Sequence, residues 1–388
     1  MTSIVGWAHT RFGRLDDSLV DLIGHAAESA LTHAELDGHD IDEVVVATYN
    51  AGLQPLAFPS SVPLERVPTL RGVPCIRVEN ACASGTAAIH HGIRSIESGR
   101  ARQVLVIGAE KMTDRPAQQI GAALLGADLA LAGSESTVGF AGLFGQVAAE
   151  YRGRYGLADD TLARIAHKAH RNALDNPWAQ LHRELSVEFC ATTSAANPVV
   201  APPLRRTDCS PVSDGAAAVV LAADAAVPAR CPRQVRVAGI GQASDFLDRS
   251  RRDLLEFAGA RAAWGRALDE AGVRSPRHLD LIELHDCFTI AELVLYEALG
   301  LAANGRGVSV LDEGVVYADG PLPVNRSGGL KAKGHPVGAT GVSQHVLCAM
   351  QLTGTAGAMQ LPNPRLAGVF NMGGLAVANH ATILGAVA

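Results

Sequence analysis

Cys82 lies in the segment Asn80-Ala81-Cys82-Ala83-Ser84-Gly85, at the start of an expected helix and just after an expected strand. A thiol there meets the positive end of the helix dipole and unpaired backbone N–H groups, which favour thiolate and predict a lowered pKa. The small neighbours leave room for a bulky acyl group; the alternative is a buried structural cysteine, because free cysteine is among the most buried residue types. His335, in Gly334-His335-Pro336, stands at the entrance of a second expected helix, with proline fixing the turn. Cysteine and histidine within hydrogen-bond reach are the minimum for a nucleophile with its base. His285-Asp286-Cys287-Phe288 directly follows the apolar run at 281–284, and open α/β sheets place ligand sites beyond the carboxyl ends of strands. There His285 could donate to a developing oxyanion and Cys287 could exchange protons. Asn371-Met372-Gly373-Gly374 ends another apolar run and offers backbone N–H groups with close approach, which is what an oxyanion hole needs. Further ligands at zinc spacing are not evident, so no metal site is expected.

The elements that must position these residues form one pattern written twice. Residues 16–34 carry Leu19, Ile23, Ala26, Ala27, Ala30, Leu31 and Ala34 on one helical stripe, and Val44-Val45-Val46-Ala47 then suits a buried strand. Residues 253–271 repeat the stripe with Leu254, Ala258, Trp264, Ala267, Leu268 and Ala271, followed by the strand at 281–284. The later parts correspond as well. The Cys82 segment opens a helix to about residue 98 and a strand follows at 104–108; the His335 segment opens a helix to about 352 and a strand follows at 368–370. Alternating strands and helices with short connections predict parallel sheets covered by helices. Two such units sharing central helices give an α/β fold of five layers, α/β/α/β/α. The halves are expected at 1–235 and 236–388, and about a pseudo-twofold axis the two helix starts would face one pocket.

Residues 116–200 fit neither copy and read as an insertion in the first half. Within it Arg164, Lys168, Arg171 and Arg183 outnumber Asp175 over 161–183. Arg164 and Lys168 are therefore candidate contacts for a phosphorylated ligand, with a solvated helix face as the alternative.

Composition removes whole classes. The chain is 48% hydrophobic and 19% charged, the balance of a globular protein with a large core, and with aromatics at 4% that core must be mainly Ala, Val, Leu and Ile. A net charge of −6 argues against nucleic acid as partner. No apolar run approaches the roughly 18 residues of a membrane span, so no membrane partner is expected. The seven cysteines form no C-x-x-C pair, which suits a reducing cytoplasm. No phosphate-binding G-x-x-x-x-G-K-[ST] occurs, and Gly239-Ile240-Gly241 lacks the rest of a dinucleotide fingerprint.

Taken in order along essentially the whole chain, the Cys82, His285–Phe288, Gly334–Pro336 and Asn371–Gly374 segments resemble the thiolase superfamily. Asp208-Cys209-Ser210-Pro211-x-x-Asp214-Gly215-Ala216 looks like the strand that closes its first half. Within the superfamily the chain is most similar to the sterol-carrier-protein type. Many thiolases carry Asn-Glu-Ala-Phe where this chain has His285-Asp286-Cys287-Phe288, and a cysteine where it has Asn371. The resemblance implies an acyltransferase acting on coenzyme A thioesters. Cys82 would be the acylated nucleophile, His335 its base, and Cys287 the acid/base in place of the missing cysteine. His285 would be an enolate donor, with Gly373 and Cys82 N–H forming the oxyanion hole. It implies no cofactor beyond the acyl-CoA and CoA substrates, a homodimer or tetramer, and in some relatives a small OB-fold partner used for retro-aldol cleavage.

Overall fold

The computed structural model describes residues 1–136, 138–227, 231 and 233–387. Nine strands form its main sheet: β1 (Thr2–His9), β2 (Glu43–Ala47), β3 (Cys75–Val78), β4 (Gln103–Glu110), β5 (Gly215–Ala223), β6 (Val235–Ser244), β7 (Leu281–Glu283), β8 (Leu366–Gly373) and β9 (Ala378–Ala386). Their spatial order is β3-β2-β4-β5-β1-β6-β9-β8-β7. From β2 inward the order is the same from either end, β2-β4-β5-β1 against β7-β8-β9-β6, and the duplication in the sequence is the reason. The halves join where β1 meets β6 through only two residue pairs, Ser3 with Arg236 and Ile4 with Val235. The division expected at 235/236 falls on the first residue of β6.

Eight helices matter for the site: α1 (Leu19–Ala34), α2 (Ser84–Glu97), α3 (Ala117–Leu125), α4 (Ala141–Tyr155), α5 (Thr161–Ala173), α6 (Ala258–Ala271), α7 (Thr289–Ala298) and α8 (Thr340–Leu352). The apolar stripe of α1 forms as expected, and its first turn is closed by a reciprocal cap between Ser18 and Asp21. Strand alternation sorts the layers. On β4, Leu105 and Ile107 pack outward with Ile23 and Leu31 of α1, whereas Val104 and Val106 pack inward with Ile89 of α2 and Val342 of α8. On β8, Ala367 and Val369 face the same inner cluster, while Phe370 joins Trp264 of α6 outside. The layers therefore run α1, first half-sheet, α2 with α8, second half-sheet, and α6 with α7. That is the five-layered α/β/α/β/α arrangement.

Two expectations are corrected. The sheets are mixed rather than parallel: β2 runs parallel to β3 and β4, and β7 to β8, but every pairing from β4 through β5, β1, β6 and β9 to β8 is antiparallel. Antiparallel neighbours need no crossover helix, and alternation of predicted elements cannot register a strand that returns without one. The periodic reading also ends at Gly374 and omits β9, whose Ala- and Gly-rich sequence carries few strong strand formers. The 116–200 insertion holds α3, α4 and α5; α3 stays largely on the first half, with Ile120 beside Tyr49, Leu53 and Met112, whereas α4 and α5 pack on the second. Phe144, Tyr151 and Ile165 sit in one cluster with Leu293 and Tyr296 of α7.

The two central helices touch backbone to backbone at corresponding glycines. A Cβ on Gly85 would sit 2.8 Å from the backbone nitrogens of Gly341 and Val342, and one on Gly341 would sit 2.3 Å from that of Thr86. Gly341→Ala should therefore force α2 and α8 apart and cost about 1–3 kcal/mol of stability. Chemical denaturation checks this, and a midpoint equal to the wild type would contradict the close approach.

Candidate active site

Strand β3 feeds α2 through a turn in which Ala81 adopts a left-handed φ of 48°. Such a conformation is uncommon for a residue with a Cβ. It is held by the neighbouring backbone: Ala83 N–H donates to Asn80 C=O at 3.0 Å, and Asn80 N–H donates to Ser84 Oγ at 2.8 Å. The turn aims Cys82 into a cavity of about 910 Å³ whose lining also includes His285, Cys287, His335 and Gly374. The Cys82 sulfur and one ring nitrogen each of His285 and His335 all lie within 4.8 Å of one another. The two rings meet edge-on, with centroids 5.1 Å apart and an interplanar angle of 89°.

Hydrogen bonds assign each imidazole its tautomer. Thr340 Oγ1 donates to Pro336 C=O at 2.9 Å, so it accepts from His335 Nδ1–H at 2.6 Å. His335 then presents a bare Nε2 lone pair, the form of a base. The side chain of Asn371 donates to the Cys82 carbonyl at 3.0 Å, which fixes its amide orientation, because a carbonyl oxygen only accepts. The second N–H of the same amide reaches His285 Nδ1 at 2.9 Å, leaving His285 with its proton on Nε2. One histidine is thus an acceptor and the other a donor beside one sulfur.

Burial sets the charge state. It pushes the Cys82 thiol up to about 12, opposed by the backbone N–H groups of Gly374 and of Cys82 itself and reinforced by Glu110. The expected thiolate at a helix tip is corrected accordingly: desolvation outweighs the few N–H groups that the tip supplies. Burial, followed by the Lys333 ammonium, lowers His335 to about 3. Burial also takes His285 well below its usual value, with His335 and Lys333 adding to it. The resting site is a neutral thiol beside neutral imidazoles. His335 can accept a proton at any pH above about 3.

Cys287 also lines the cavity, and burial pushes its thiol well above the ordinary range, with Cys82 and Asp286 contributing. Asp286 between the two faces away: its carboxylate accepts the backbone N–H groups of Leu330 at 2.7 Å and Lys331 at 3.3 Å. Of the two terminal glycines, Gly374 lines the cavity and directs its N–H to Cys82. Gly373 packs on the Cys82 turn, where a Cβ would come 2.3 Å from Asn80 O. The N–H that points at the sulfur is thus that of Gly374, one residue after the Gly373 expected as the donor. A soft cation would suit the same three converging atoms, but it would take the lone pair of His335 on which base chemistry depends.

The other candidates fall elsewhere. Lys168 is buried, pairs with Glu292 at 2.6 Å and donates to Val324 C=O at 2.8 Å; Arg164 pairs with Asp312 at 2.7 Å. Neither lines the cavity, so the expected phosphate contacts are corrected to structural ion pairs that hold α5 against α7 and its neighbours. Sequence reasoning missed the parts played by Thr340, Asn371 and Gly374. All three lie in or beside the segments it singled out, but only the fold shows what they touch. His380 is buried on β9 and hydrogen-bonded to Asn80.

An apolar cavity in which a half-buried thiol, an imidazole lone pair and an imidazole N–H converge, on a duplicated five-layer fold, is the arrangement of the acyl-transfer class. The sequence matches the family description "Thiolase, N-terminal domain" over residues 2–225 and "Thiolase C-terminal domain-like" over residues 241–386. It is 36% identical to an acetyl-CoA acetyltransferase of Methanothermobacter thermautotrophicus over 96% of both chains. It is 32% identical to sterol carrier protein 2 of Homo sapiens over 78% of this chain and 57% of that protein. Human mitochondrial 3-ketoacyl-CoA thiolase has the same fold, with a TM-score of 0.75 at 18% identity and coverage of 100% and 99%. So has the Ltp2-ChsH2(DUF35) aldolase, with 0.82 at 21% and coverage of 99% and 97%. The chain belongs to the thiolase family.

Two outcomes follow from this geometry. Alkylation of Cys82 by iodoacetamide should keep accelerating beyond pH 10, and a plateau below pH 8 would show a thiolate the burial does not permit. Lys168→Met should cost about 3–5 kcal/mol in urea denaturation by leaving Glu292 buried without its partner. The Michaelis constant for CoA should not change, and a raised constant would return Lys168 to the ligand.

Proposed function

We propose that this chain is a thiolase that cleaves 3-oxoacyl-CoA with CoA, or runs the reverse Claisen condensation, through an acyl group carried on Cys82. The observation that carries the reading is the pair of complementary tautomers beside the sulfur: a lone pair on His335 Nε2 and a proton on His285 Nε2. As Cys82 attacks the 3-oxo carbon, His335 takes the thiol proton, so charge appears only when bonding to carbon has begun. The N–H groups of Gly374 and Cys82 are placed to hold the resulting oxyanion; one such donor is typically worth about 3–4 kcal/mol. Collapse breaks the C2–C3 bond and leaves the enolate of acetyl-CoA, whose oxygen accepts from His285 Nε2–H. Cys287 gives its proton to C2. The Cys287 thiolate then takes the proton of incoming CoA, whose sulfur attacks the acyl-enzyme, and Cys82 leaves and recovers its proton from His335. The thioester itself acidifies the α-carbon, so these steps draw on no metal or redox cofactor.

The walls of the cavity are mainly apolar, with Met112, Ile120, Leu124, Phe140 and Phe288 among them. They favour an acyl chain over a charged group. We place the enzyme in the cytoplasm, since seven free thiols suit a reducing compartment. Self-association is proposed through β3, a four-residue edge strand with unpaired backbone on one side. Light scattering should then give about twice the 40.3 kDa of one chain, or four times for a tetramer.

Wild-type protein given acetoacetyl-CoA and CoA should form acetyl-CoA, and mass spectrometry should find an acetyl group on Cys82. Cys82→Ala should lose roughly 10³-fold or more in kcat, and Cys287→Ala should stall after acylation. Acetyl-CoA production undiminished in Cys82→Ala would overturn the mechanism. An inert chain revived by a co-expressed small OB-fold protein would favour the lyase-type, partner-dependent reading instead.

A further inference from the structure

Three buried histidines that the reaction does not use form a single file between the nucleophile turn and the base's helix. The side chain of Asn80 lies 3.1 Å from His380 Nε2, and His380 Nδ1 lies 3.3 Å from His90 Nδ1. His90 Nε2 is 3.0 Å from Thr382 Oγ1, which is 2.9 Å from His345 Nε2, and His345 Nδ1 is 2.7 Å from the Gly341 carbonyl. His90 belongs to α2, His345 to α8, and His380 and Thr382 to β9. All four are at most 1% exposed.

The ends of the file dictate its direction. The Gly341 carbonyl only accepts, so His345 carries its proton on Nδ1 and accepts at Nε2. Thr382 must then donate to His345 and accept from His90 Nε2–H. That leaves His90 Nδ1 to accept from His380 Nδ1–H, and His380 Nε2 to accept from the Asn80 amide. Each group has one donor and one acceptor in place, so every link is satisfied with all three rings neutral. Burial keeps them so: it lowers His345 and His380 to about 4 and His90 further.

The termini of the file are the two halves of the site. Asn80 is two residues from Cys82, and its backbone braces the strained Ala81. Gly341 follows Thr340, whose hydroxyl holds His335 Nδ1. We propose that His380, His90, Thr382 and His345 are positioning residues, a one-way hydrogen-bonded brace that fixes the Cys82 turn relative to the helix bearing the His335 anchor. The inference rests on the thiolase reading for its effect on turnover, but not for its effect on the sulfur. Apolar side chains would fill the same space; what they cannot do is give a preferred distance and direction across the interface of two helices.

Thr382 is the link to break, because only a hydroxyl can accept from one ring while donating to the next. Nitrogen-15 NMR of the wild-type protein should show His345 and His380 protonated on Nδ1 and His90 on Nε2. Thr382→Val should slow Cys82 alkylation, measured without any acyl-CoA, and lower kcat by about tenfold with KM unchanged. Thr382→Ser should recover most of the loss, a rescue that mere packing would not give. Any other set of tautomers overturns the brace, and so does a valine variant that alkylates and turns over like the wild type. If Thr382→Val does not fold, the wild-type tautomers decide. A protein inert toward acetoacetyl-CoA, yet showing the three tautomers and the slowed alkylation, supports the brace and overturns only the thiolase reading.

Discussion

The structure depends on one contact, the backbone-to-backbone approach of Gly85 on α2 and Gly341 on α8. Those glycines stand at corresponding places in the two copies of the fold, each just inside the first turn of its helix. Any side chain at either position would meet the other helix's backbone nitrogens. Because the helices meet at their starts rather than at their middles, the residues leading into each one converge. Cys82 leads into the first helix and His335 into the second. The duplicated sheet, joined by only two residue pairs at β1 and β6, is held as one body chiefly by this shared central layer.

Burial at that convergence has a chemical consequence. A thiol and an imidazole in water would exchange a proton readily near neutral pH, but desolvation penalises both charged forms. The resting pair is therefore neutral, and in the proposed reaction the ion pair is stabilised only when an acyl carbonyl brings charge that the backbone N–H groups of Cys82 and Gly374 can receive. The hydrogen bonds behind the rings do the rest. Thr340 and Asn371 leave one imidazole able only to accept at its front nitrogen and the other able only to donate. Asn371 binds Cys82 and His285 with the same amide, so the thiol turn and the second imidazole are located by one group.

Charges elsewhere in the interior support this arrangement without entering it. Lys168 with Glu292, and Asp286 with the N–H groups of Leu330 and Lys331, lie behind the cavity wall. The first holds the insertion's α5 to α7, and the second holds the short helix Gly329–Lys333 to the His285–Cys287 segment. The insertion belongs to the first half in sequence, yet its α4 and α5 pack on the second, so the cavity is walled by both copies.

The sequence alone determined the duplication, the helices α1, α2, α6 and α8, and the four segments that carry Cys82, His285 with Cys287, His335, and Asn371 with its two glycines. Those features are local: a period of 3.6, a run of β-branched residues, a glycine or proline beside a reactive side chain. It could not decide strand direction, because antiparallel neighbours leave no crossover to read, and β9 was hidden by its small residues. Nor could it assign Lys168, since a lysine has the same formal charge whether it faces solvent or a buried glutamate. The pKa of Cys82 was inferred wrongly for the same kind of reason. A helix start is visible in a sequence, whereas the depth of burial around it is the sum of contacts from residues hundreds of positions away. Tautomers, the choice between Gly373 and Gly374, and the chain of histidines are decided only by tertiary structure, because each depends on which atom of a distant residue lies within about 3 Å.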